Sequence, residues 1–343
     1  MRRDHIEYLA CPTCAGTLIL LRVDGERDGR VERGILGCTS CGAGFAVSGF
    51  VPRFVSQDNY TASFGYQWNL HASTQLDSRT GVAISRNRFF RETRWQADLT
   101  RQTILELGGG AGRFTEAAAD TGAMVVSVDY SAAVDANVAA NGARPNVLVV
   151  QGDIYALPVQ RSSFDKVFCF GVLQHTPDVR QAFLALPPCL RPGGELVVDA
   201  YARDAWYMQL AKTRYWVRPL TRRVPAPILY RVVRGYVRVL WPVSSLIHRL
   251  VRRPTLARRL SQVLLLADYR GTLPLRSEDQ FREWAVLDTF DMLSPRYDSP
   301  QSVADIESFF HDADLLCIEV RRTGDGIVAR GRRSPAQVSE GAA

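Results

Sequence analysis

Four cysteines near the start of the chain have the spacing of metal ligands. They form two C-x-x-C pairs, Cys11 with Cys14 and Cys38 with Cys41, and 23 residues separate the pairs. Each pair places two thiolates on one tight turn, and two such turns complete a tetrahedral sulfur site for Zn²⁺. Because thiolates fill all four positions, such an ion is structural and not catalytic. Two disulfides or a redox pair are the alternatives, and disulfides suit a chain with no apolar signal peptide poorly.

A glycine-rich turn after a short apolar run is the strongest chemical signal in the sequence. The run contains Glu106, and Gly108, Gly110 and Gly112 follow it at alternate positions. A stretch that resembles a helix begins at Phe114. This order predicts a strand, a tight turn and a helix. The glycines would let the backbone approach a ligand closely, at the positive end of the helix dipole.

Acidic residues end further apolar runs downstream of this turn. Asp129 ends the run that starts at Met124, and Gly152 with Asp153 follows the next one. A carboxylate in the position of Asp129 suits a bidentate hydrogen bond to a ribose diol. Since apolar runs and helical stretches alternate along the chain, the sequence predicts an α/β fold with a parallel sheet and helices on both faces.

Together these motifs resemble those of the class I S-adenosylmethionine-dependent methyltransferases, in particular the small-molecule type. The E-x-G-x-G-x-G turn Glu106–Gly112, the acid Asp129, the segment Gly152–Ile154 and the turn Arg191–Gly194 each match a motif of that family. A hairpin pattern over Leu316–Arg330 matches the family's last two strands. The resemblance implies a Rossmann-like sheet of seven strands in the order 3-2-1-4-5-7-6. The cysteine segment resembles the small zinc ribbons at the N-terminus of some methyltransferases.

The resemblance also implies S-adenosyl-L-methionine as cofactor. A nicotinamide dehydrogenase is the rival interpretation, but its G-x-G-x-x-G pattern needs glycine where this chain has Arg113. An acid at Glu106 would repel a pyrophosphate, whereas it suits a cationic methyl donor. The candidate cofactor-binding residues are Glu106, Gly108, Gly110, Gly112, Asp129, Tyr130, Asp153, Ile154, Phe170, Gln67 and Trp68.

The segment after the fourth predicted strand is where we expect the methyl acceptor. It contains His175, whose free side chain has a pKa of about 6.5 and can accept a proton at neutral pH. The alternative is a turn residue that shapes the cofactor pocket. The [DNS]-P-P-[FY] motif of amino-directed nucleic-acid methyltransferases is absent at this place, and so is the Pro-Cys of the ring-carbon type.

Aromatic and amide residues are concentrated in Phe64–Asn69, before the first core strand. Such a stretch predicts a lid or a segment that faces the cofactor, with Gln67 and Trp68 as its candidate contacts. The alternative is that these aromatic residues dock the cysteine segment onto the core.

Length and composition indicate how these motifs are organised. The chain has 343 residues, of which 46% are hydrophobic and 22% charged, so it is globular and not disordered. We expect a zinc ribbon over residues 1–56 and linker or lid helices over 57–100. The methyltransferase core would occupy 101–201 and 300–332. Residues 202–299 would form a basic helical insertion that caps the acceptor, and 333–343 a disordered tail.

The predicted insertion carries most of the positive charge. Between Tyr201 and Leu260 there are 14 Lys and Arg residues but a single acid, Asp204. The arginines alternate with apolar residues at helical spacing. Three interpretations follow: a cap over the active site, a surface that lies on an anionic membrane or takes a lipid-linked substrate, and a grip on RNA phosphates.

The sequence therefore favours a methyltransferase that modifies oxygen or carbon of a small-molecule, sugar or lipid-linked acceptor and carries structural zinc. An enzyme for ribosomal or transfer RNA is the first alternative, and a non-catalytic zinc-ribbon scaffold is the second. We expect a cytoplasmic protein, with peripheral attachment to the inner membrane face as one alternative.

Overall fold

The computed structural model describes residues 1–56, 59–203, 213–324 and 326–335, and a sheet of 11 strands runs through this part of the chain. Across the sheet the strand order is β1-β2-β3-β4-β7-β6-β5-β8-β9-β11-β10. The strands are β1 (Leu18–Arg27), β2 (Arg30–Cys38), β3 (Gly44–Ser48), β4 (Val51–Arg53), β5 (Thr103–Leu107), β6 (Met124–Asp129), β7 (Val147–Gln151), β8 (Phe164–Cys169), β9 (Leu190–Ala200), β10 (Leu316–Arg322) and β11 (Ile327–Arg332).

The strands from β5 to β11 confirm the predicted methyltransferase topology. Counted along this part of the chain, their spatial order is 3-2-1-4-5-7-6. Strands β5 to β9 pair in parallel, whereas β10 and β11 are antiparallel to their neighbours. Ile104 and Leu105, which are adjacent on β5, belong to separate hydrophobic clusters. Since successive side chains of a strand point to opposite faces, both faces of the sheet are covered.

The sheet is larger than the predicted seven strands because the N-terminal segment extends it. Strands β1 to β4 form an antiparallel meander, and β4 pairs in parallel with β7 through Arg53 and Gln151. The Arg53 side chain donates to Gln151 Oε1 at 2.8 Å and to Asp135 Oδ1 at 2.6 Å. Ala10 N–H also donates to the Pro158 carbonyl at 3.2 Å. The meander thereby covers the β7 edge, which would otherwise expose unpaired backbone groups.

Helices connect and cover the strands. Three of them, α1 to α3, lie where lid or linker helices were predicted. The helices are α1 (Ala62–Leu70), α2 (Asp77–Thr80), α3 (Ile84–Thr93), α4 (Arg113–Ala119), α5 (Val134–Asn141), α6 (Val179–Leu184), α7 (Arg214–Thr221), α8 (Ala226–Leu250), α9 (Pro254–Val263), α10 (Glu278–Leu293) and α11 (Val303–Asp312).

Helices α7 to α10 form a separate layer with its own core. Leu229, Val233, Val237 and Trp241 project from α8 at four-residue spacing and are buried with residues of α10 such as Phe290. Ser277 caps α10 because its hydroxyl oxygen accepts from Gln280 N–H at 3.2 Å. In turn, the Ser277 N–H donates to Gln280 Oε1 at 3.3 Å. This reciprocal cap fixes where α10 begins.

Two sequence predictions fall partly outside the described residues. The insertion includes residues 204–212, and the predicted disordered tail includes 336–343, neither of which is described. Arg333 and Ser334, at the start of that tail, pack on the first residues of β9: the Gly193 N–H donates to their carbonyls at 3.1 and 3.3 Å. None of the described helices is both long and apolar enough to cross a membrane.

Candidate functional site

The glycine turn lies at the carboxyl end of β5, and its three alternate glycines have different surroundings. Gly108, Gly110 and Gly112 have φ angles of 77°, 52° and 91°, which residues with a side chain rarely adopt. A Cβ on Gly108 would clash with Val172, and one on Gly112 with asparagine side chains of α5. A Cβ on Gly110 would lie 3.6 Å from Trp68 Nε1, an ordinary contact distance. Among the three, Gly110 is therefore the position with room for a Cβ, and its outer side is in contact with the Trp68 indole and not with the core.

Glu106 lies beneath this turn. Its side chain is 1% exposed, and the hydroxyl of Thr115 on α4 donates to Oε2. Burial raises the pKa of Glu106 to about 7, against a smaller opposing effect of the hydrogen bonds from Thr115 and Ser127. In this position the carboxylate ties β5 to α4 under the glycine backbone.

Asp129, at the end of β6, holds the turn from the other side. Its Oδ2 accepts from Gly110 N–H at 2.8 Å, and its Oδ1 accepts from Ser131 N–H at 2.8 Å and from the Ser131 hydroxyl at 2.6 Å. Burial raises its pKa in spite of these donors. Next to it, the Tyr130 ring packs against Tyr60 with centroids 5.1 Å apart. The carboxylate thus bridges the glycine turn and the first residues after β6.

The remaining residues predicted for the adenosine side differ in accessibility. Asp153 follows β7 and accepts from Tyr155 N–H at 3.0 Å. Ile154 is 8% exposed, and Phe170 is 6% exposed. The Phe170 ring packs on Phe114 at 5.4 Å, so it belongs to the aromatic core behind the turn. Asp153 is only partly buried and stays available to a ligand.

Helix α1 carries Gln67 and Trp68 over the glycine turn. Gly65 permits this position, because a Cβ there would lie 3.0 Å from the Ala132 backbone nitrogen. Gln67 is fully buried and its Nε2 lies 3.5 Å from Asp291 Oδ1. Helix α1 contacts α5, α8 and α10. These contacts favour the cofactor-facing interpretation of the aromatic stretch over docking of the N-terminal segment.

His175 lies at the end of a 3₁₀ turn, Leu173–His175, that follows β8. Its ring packs between Phe64 at 5.1 Å and Tyr201 at 5.5 Å. Its Nδ1 lies 3.0 Å from the Tyr297 carbonyl. A carbonyl only accepts, so Nδ1 carries the proton and Nε2 keeps the lone pair in the neutral ring. Burial lowers the pKa of His175, the largest effect on it, so the ring is neutral at pH 7.

Two buried amide side chains near His175 lack partners within the described residues. Both polar atoms of Gln174 and the Oε1 of Gln67 are buried without a hydrogen bond. A buried, unsatisfied amide destabilises a fold by about 1–3 kcal/mol, so such groups are expected where a polar ligand binds. With the room at Gly110 beside the Trp68 indole, they fit a polar cofactor. Gln174 was not among the sequence candidates.

Charged groups on α10 form a feature that the sequence analysis missed. Asp288 and Asp291 lie deep in the molecule but keep some accessible surface, as do Arg113 and Tyr201. Burial, the largest effect, raises the pKa of each aspartate to about 6. The two acids are three residues apart among buried Leu and Phe residues, a pattern that could have singled them out. They place carboxylates opposite the glycine turn.

A surface cleft lies beside these residues. It has a volume of about 500 Å³ and is lined by Arg222, Arg223, Arg296 and Tyr297. A second cleft of about 210 Å³ shares Arg222 and Arg296 and extends to the first turns of α1 and α8. Tyr297 links the cleft to the site, since its carbonyl contacts His175 and its ring packs on Tyr60 at 5.4 Å. The larger cleft thus brings three arginines together with Tyr297, the residue whose carbonyl contacts His175.

The four N-terminal cysteines come together as predicted. Their sulfur atoms all lie within 4.8 Å of one another, with Cys11 and Cys41 at 3.7 Å and Cys14 and Cys38 at 3.5 Å. None of these cysteines forms a disulfide. Tetrahedral zinc with Zn–S bonds of about 2.3 Å requires sulfurs about 3.8 Å apart. The four-thiol set therefore fits one zinc ion.

Comparison with known proteins places a methyltransferase domain over residues 105–198. A ubiquinone biosynthesis O-methyltransferase of Xanthomonas oryzae pv. oryzae is 30% identical over 130 residues, which are 36% of this chain and 54% of that protein. A demethylmenaquinone methyltransferase of Beutenbergia cavernae is 31% identical over 157 residues, 43% of this chain and 64% of that one. The chain thus spans about half the length of the first of these relatives.

The chain also resembles solved structures at low identity. A methyltransferase structure from Methanococcus maripaludis, described as S-adenosyl-L-methionine-dependent, is 13% identical with a TM-score of 0.43, and the match covers 83% of this chain and 99% of that one. A Haemonchus contortus phosphoethanolamine N-methyltransferase in complex with S-adenosyl-L-methionine is 18% identical with a TM-score of 0.41, covering 78% and 44%.

Proposed function

Because the chain carries a methyltransferase domain over residues 105–198, we propose that it is an enzyme. It transfers the methyl group of S-adenosyl-L-methionine to oxygen or carbon of a small-molecule, sugar or lipid-linked acceptor. The observation that carries the proposal is the glycine turn. It is braced by Asp129 and, at Gly110, is in ordinary contact with the Trp68 indole rather than closed by the core. Next to Trp68 on α1, Gln67 has an unsatisfied amide oxygen, and Gln174 beside His175 has two unsatisfied amide atoms.

We assign the candidate residues to two parts of the cofactor. The ribose and adenine side would be held by residues at the carboxyl ends of β6 and β7, namely Asp129, Tyr130 and Asp153. Gly110, Gln67 and Gln174 would hold the polar amino-acid end. When bound, S-adenosyl-L-methionine supplies a methyl group that is already activated for displacement. The chain itself must then position the acceptor, exclude water and accept a proton.

His175 is the residue that we assign to proton transfer. Its Nδ1–H is held by the Tyr297 carbonyl, and its Nε2 makes no hydrogen bond with a described residue. The neutral ring can therefore take a proton from an acceptor hydroxyl or an acidic carbon as that atom becomes a nucleophile. Asp291 is the rival base, because its Oδ1 lies 3.5 Å from Gln67 Nε2 and burial raises its pKa to about 6.

A small organic acceptor is supported by the relatives, which are named for ubiquinone and menaquinone synthesis. An RNA acceptor is the second candidate, and the exposed arginines of α8 favour it. A zinc-ribbon scaffold without activity is the third. The four-thiol set would stabilise the N-terminal meander by binding one zinc ion in each case, and it is independent of the acceptor.

Cofactor binding is tested by titration calorimetry with S-adenosylhomocysteine. We expect binding to the wild-type protein and at least tenfold weaker binding to Asp129→Asn, because a group worth about 1.5 kcal/mol or more is lost from a charged contact. Asp120→Asn, a surface acid paired with Arg144 at 2.7 Å, is the matched control and should bind normally. Absence of binding to the wild-type protein would contradict the proposed enzyme and leave the non-catalytic scaffold as the interpretation.

The acceptor is identified by comparing metabolites of a strain that lacks the protein with those of its parent. Labelled methyl groups from S-adenosyl-L-methionine should then enter a component of the deletion-strain extract when the purified protein is added. Label in the organic-soluble fraction supports the proposal. Label confined to RNA, and lost on ribonuclease treatment, would favour the second candidate.

A further inference from the structure

Helix α8 has two apolar stripes, although a helix on the surface of a globular protein needs one. The first stripe faces the core of the insertion and contains Leu229, Val233, Val237 and Trp241, each no more than 4% exposed. These residues are packed with α10 and with Leu266. This stripe accounts for the position of the helix in the fold.

The second stripe faces away from the protein. At about 100° per residue, its members fall within one narrow sector roughly 120° around the helix from the buried stripe. Gly235 lies next to this sector, and a Cβ there would meet nothing within 4 Å. The helix is about 37 Å long, and the stripe runs along nearly all of it. Its residues are Ile228 (48% exposed), Val232 (61%), Val239 (71%), Val243 (44%), Leu246 (55%) and Leu250 (74%).

Arginines accompany the second stripe. Arg231, Arg238 and Arg249 are exposed on the sector between the two stripes, and none of them forms an ion pair with a described residue. The chain has no Asp or Glu from residue 205 to 267. The neighbouring helices repeat the composition with exposed Trp216 and Leu220 on α7, and exposed Leu256, Leu260 and Val263 on α9 beside Arg252, Arg253 and Arg259.

We propose that the second stripe of α8 lies on the surface of an anionic lipid bilayer, with its aliphatic side chains in the headgroup region and its arginines on lipid phosphates. A helix with an exposed apolar face and flanking arginines binds such surfaces in the plane of the interface. A second copy of the chain fits less well, because it would bring two rows of unpaired arginines together. RNA would engage the arginines but leave six large aliphatic side chains in water.

Contact between the second stripe and a bilayer also favours one class of methyl acceptor, an inference that rests on the proposed function. The cleft of about 210 Å³ is lined by Val224, Ala226 and Leu229, at the start of α8, and by Arg222 and Arg296. A bilayer that contacts Ile228 and Val232 would therefore lie beside the cleft mouth. The acceptor class that this favours is an amphiphile held in the membrane with an anionic or polar head.

The test measures sedimentation of the full-length protein with vesicles of phosphatidylcholine alone or mixed with phosphatidylglycerol, over a series of salt concentrations. We expect binding to the mixed vesicles that weakens as salt screens the arginines. The triple variant Val232→Ser, Val239→Ser, Leu246→Ser should bind at least about tenfold more weakly. Arg238→Gln should bind about fivefold more weakly, as expected for one arginine near an anionic surface.

Matched controls separate the stripe from general changes in the surface. Leu21→Ser removes an apolar side chain that is 60% exposed on the N-terminal meander, and Arg101→Gln removes an exposed charge before β5. Both variants should bind mixed vesicles like the wild-type protein. The melting temperature of the triple variant should match that of the wild type, since it replaces exposed side chains only.

Three results would overturn the membrane assignment. The first is undiminished binding of the triple variant to mixed vesicles. The second is a wild-type dimer in analytical ultracentrifugation that the triple variant converts to monomer, without vesicle binding by either protein. The third is salt-dependent binding to bulk RNA, equal in both proteins, without vesicle binding. Calorimetry with S-adenosylhomocysteine remains a separate readout, so loss of the proposed methyl transfer and loss of the bilayer surface are distinguishable.

Discussion

At the scale of single residues, the glycine turn shows that one motif can serve two purposes. Gly108 and Gly112 are required because the protein itself fills the space where a Cβ would be, against Val172 and α5. Gly110 is required by its φ angle of 52°, and its outer side is in ordinary contact with the Trp68 indole. A sequence pattern records three equivalent glycines, whereas their surroundings assign close packing to two of them and leave room for a Cβ at the third.

This difference predicts that two alanine variants differ in how much stability and how much ligand binding each loses. Gly108→Ala should destabilise the protein by about 2–4 kcal/mol, because left-handed backbone strain and overpacking against Val172 add. Gly110→Ala should cost about 1–2 kcal/mol from backbone strain alone but should weaken S-adenosylhomocysteine binding more. Urea unfolding and calorimetry on both variants measure these effects. Equal stability losses would show that the two positions are not distinguished in this way.

His175 carries the second prediction at this scale. His175→Gln should lower methyl incorporation by about 10²–10⁴-fold and leave S-adenosylhomocysteine binding nearly unchanged. Because burial lowers the pKa of His175, the neutral, proton-accepting form prevails above a pKa that is itself below 6.5. Wild-type activity should therefore fall on the acid side, below about pH 6.5.

The acid limb of the pH profile separates His175 from its rival. If His175 accepts the proton, residual activity of the glutamine variant loses this limb, and Asp291→Asn keeps it. Full turnover in His175→Gln with intact cofactor binding would reduce His175 to a residue that shapes the pocket. A limb that disappears only in Asp291→Asn would transfer the assignment to that carboxylate.

At the scale of elements, α10 brings two carboxylates to the site at the expense of stability. Burial raises the pKa of Asp288 to about 6 from an ordinary value of 3.8. The folded chain therefore binds more protons than the unfolded chain between about pH 4 and pH 6. Stability must fall as the pH rises through this window and stay lower above it. A helix that served only for packing would not retain such groups, which supports a functional role for this face of α10.

Asp288→Asn should therefore stabilise the protein at pH 8, by about 1–2 kcal/mol after allowance for its partial access to solvent. The gain should shrink as the pH falls from about 6 to 4 and vanish below about pH 3, where the wild-type carboxyl is protonated in both states. Thermal unfolding of the two proteins across this pH range is the measurement. Asp279→Asn, on the exposed first turn of the same helix, is the control and should give no gain. A gain that is equal at pH 4 and pH 8 would contradict the assignment to ionisation.

Helix α1 is the second element on which the site depends. It joins the glycine turn to the insertion, because Trp68 lies over Gly110 and Gln67 reaches Asp291 on α10. His71, just after α1, places its Nε2 3.0 Å from the Tyr230 hydroxyl of α8. A segment that precedes the core strands in sequence thereby links the cofactor side of the site to the acceptor side.

At the scale of the whole molecule, the N-terminal meander is part of the central sheet. Hydrophobic residues of the meander, including Leu18, Val31 and Leu36, belong to the same cluster as Leu105 of β5. The meander has little core of its own, so a bound zinc ion would contribute much of its folding free energy. Since β4 covers the β7 edge, the stability of the meander concerns the whole sheet.

Zinc analysis of reduced, metal-replete protein should give one zinc per chain. A chelator under reducing conditions, or Cys38→Ser, should lower the melting temperature by more than about 5 °C. The chelator removes the metal and the variant removes one of its four ligands, and either change loosens the meander that covers the β7 edge. Cys317→Ser, an exposed cysteine outside the cluster, is the control and should change neither value. A zinc content near zero in the wild-type protein would contradict the metal assignment.

The sequence by itself determined the features that are local in the chain. The glycine turn, the acid after β6, the paired C-x-x-C turns and the final hairpin each depend on a few consecutive residues, whose backbone geometry and side-chain chemistry their types restrict. The alternation of strands and helices along the chain predicted the parallel sheet, whereas the spatial order of the seven core strands came from the resemblance to the methyltransferase family.

Only the tertiary structure decided which distant residues those local features contact. The contact of Gln67 with Asp291 spans 224 residues, and that of His175 with the Tyr297 carbonyl spans 122. The pairing of β4 with β7 and the exposure of the second stripe on α8 are equally non-local. Residue types and spacing restrict the conformation of neighbouring residues, but contacts between distant segments depend on how all the packed surfaces fit at once. The partners of the catalytic candidates and the uncovered face of the insertion therefore emerged only when the chain was folded.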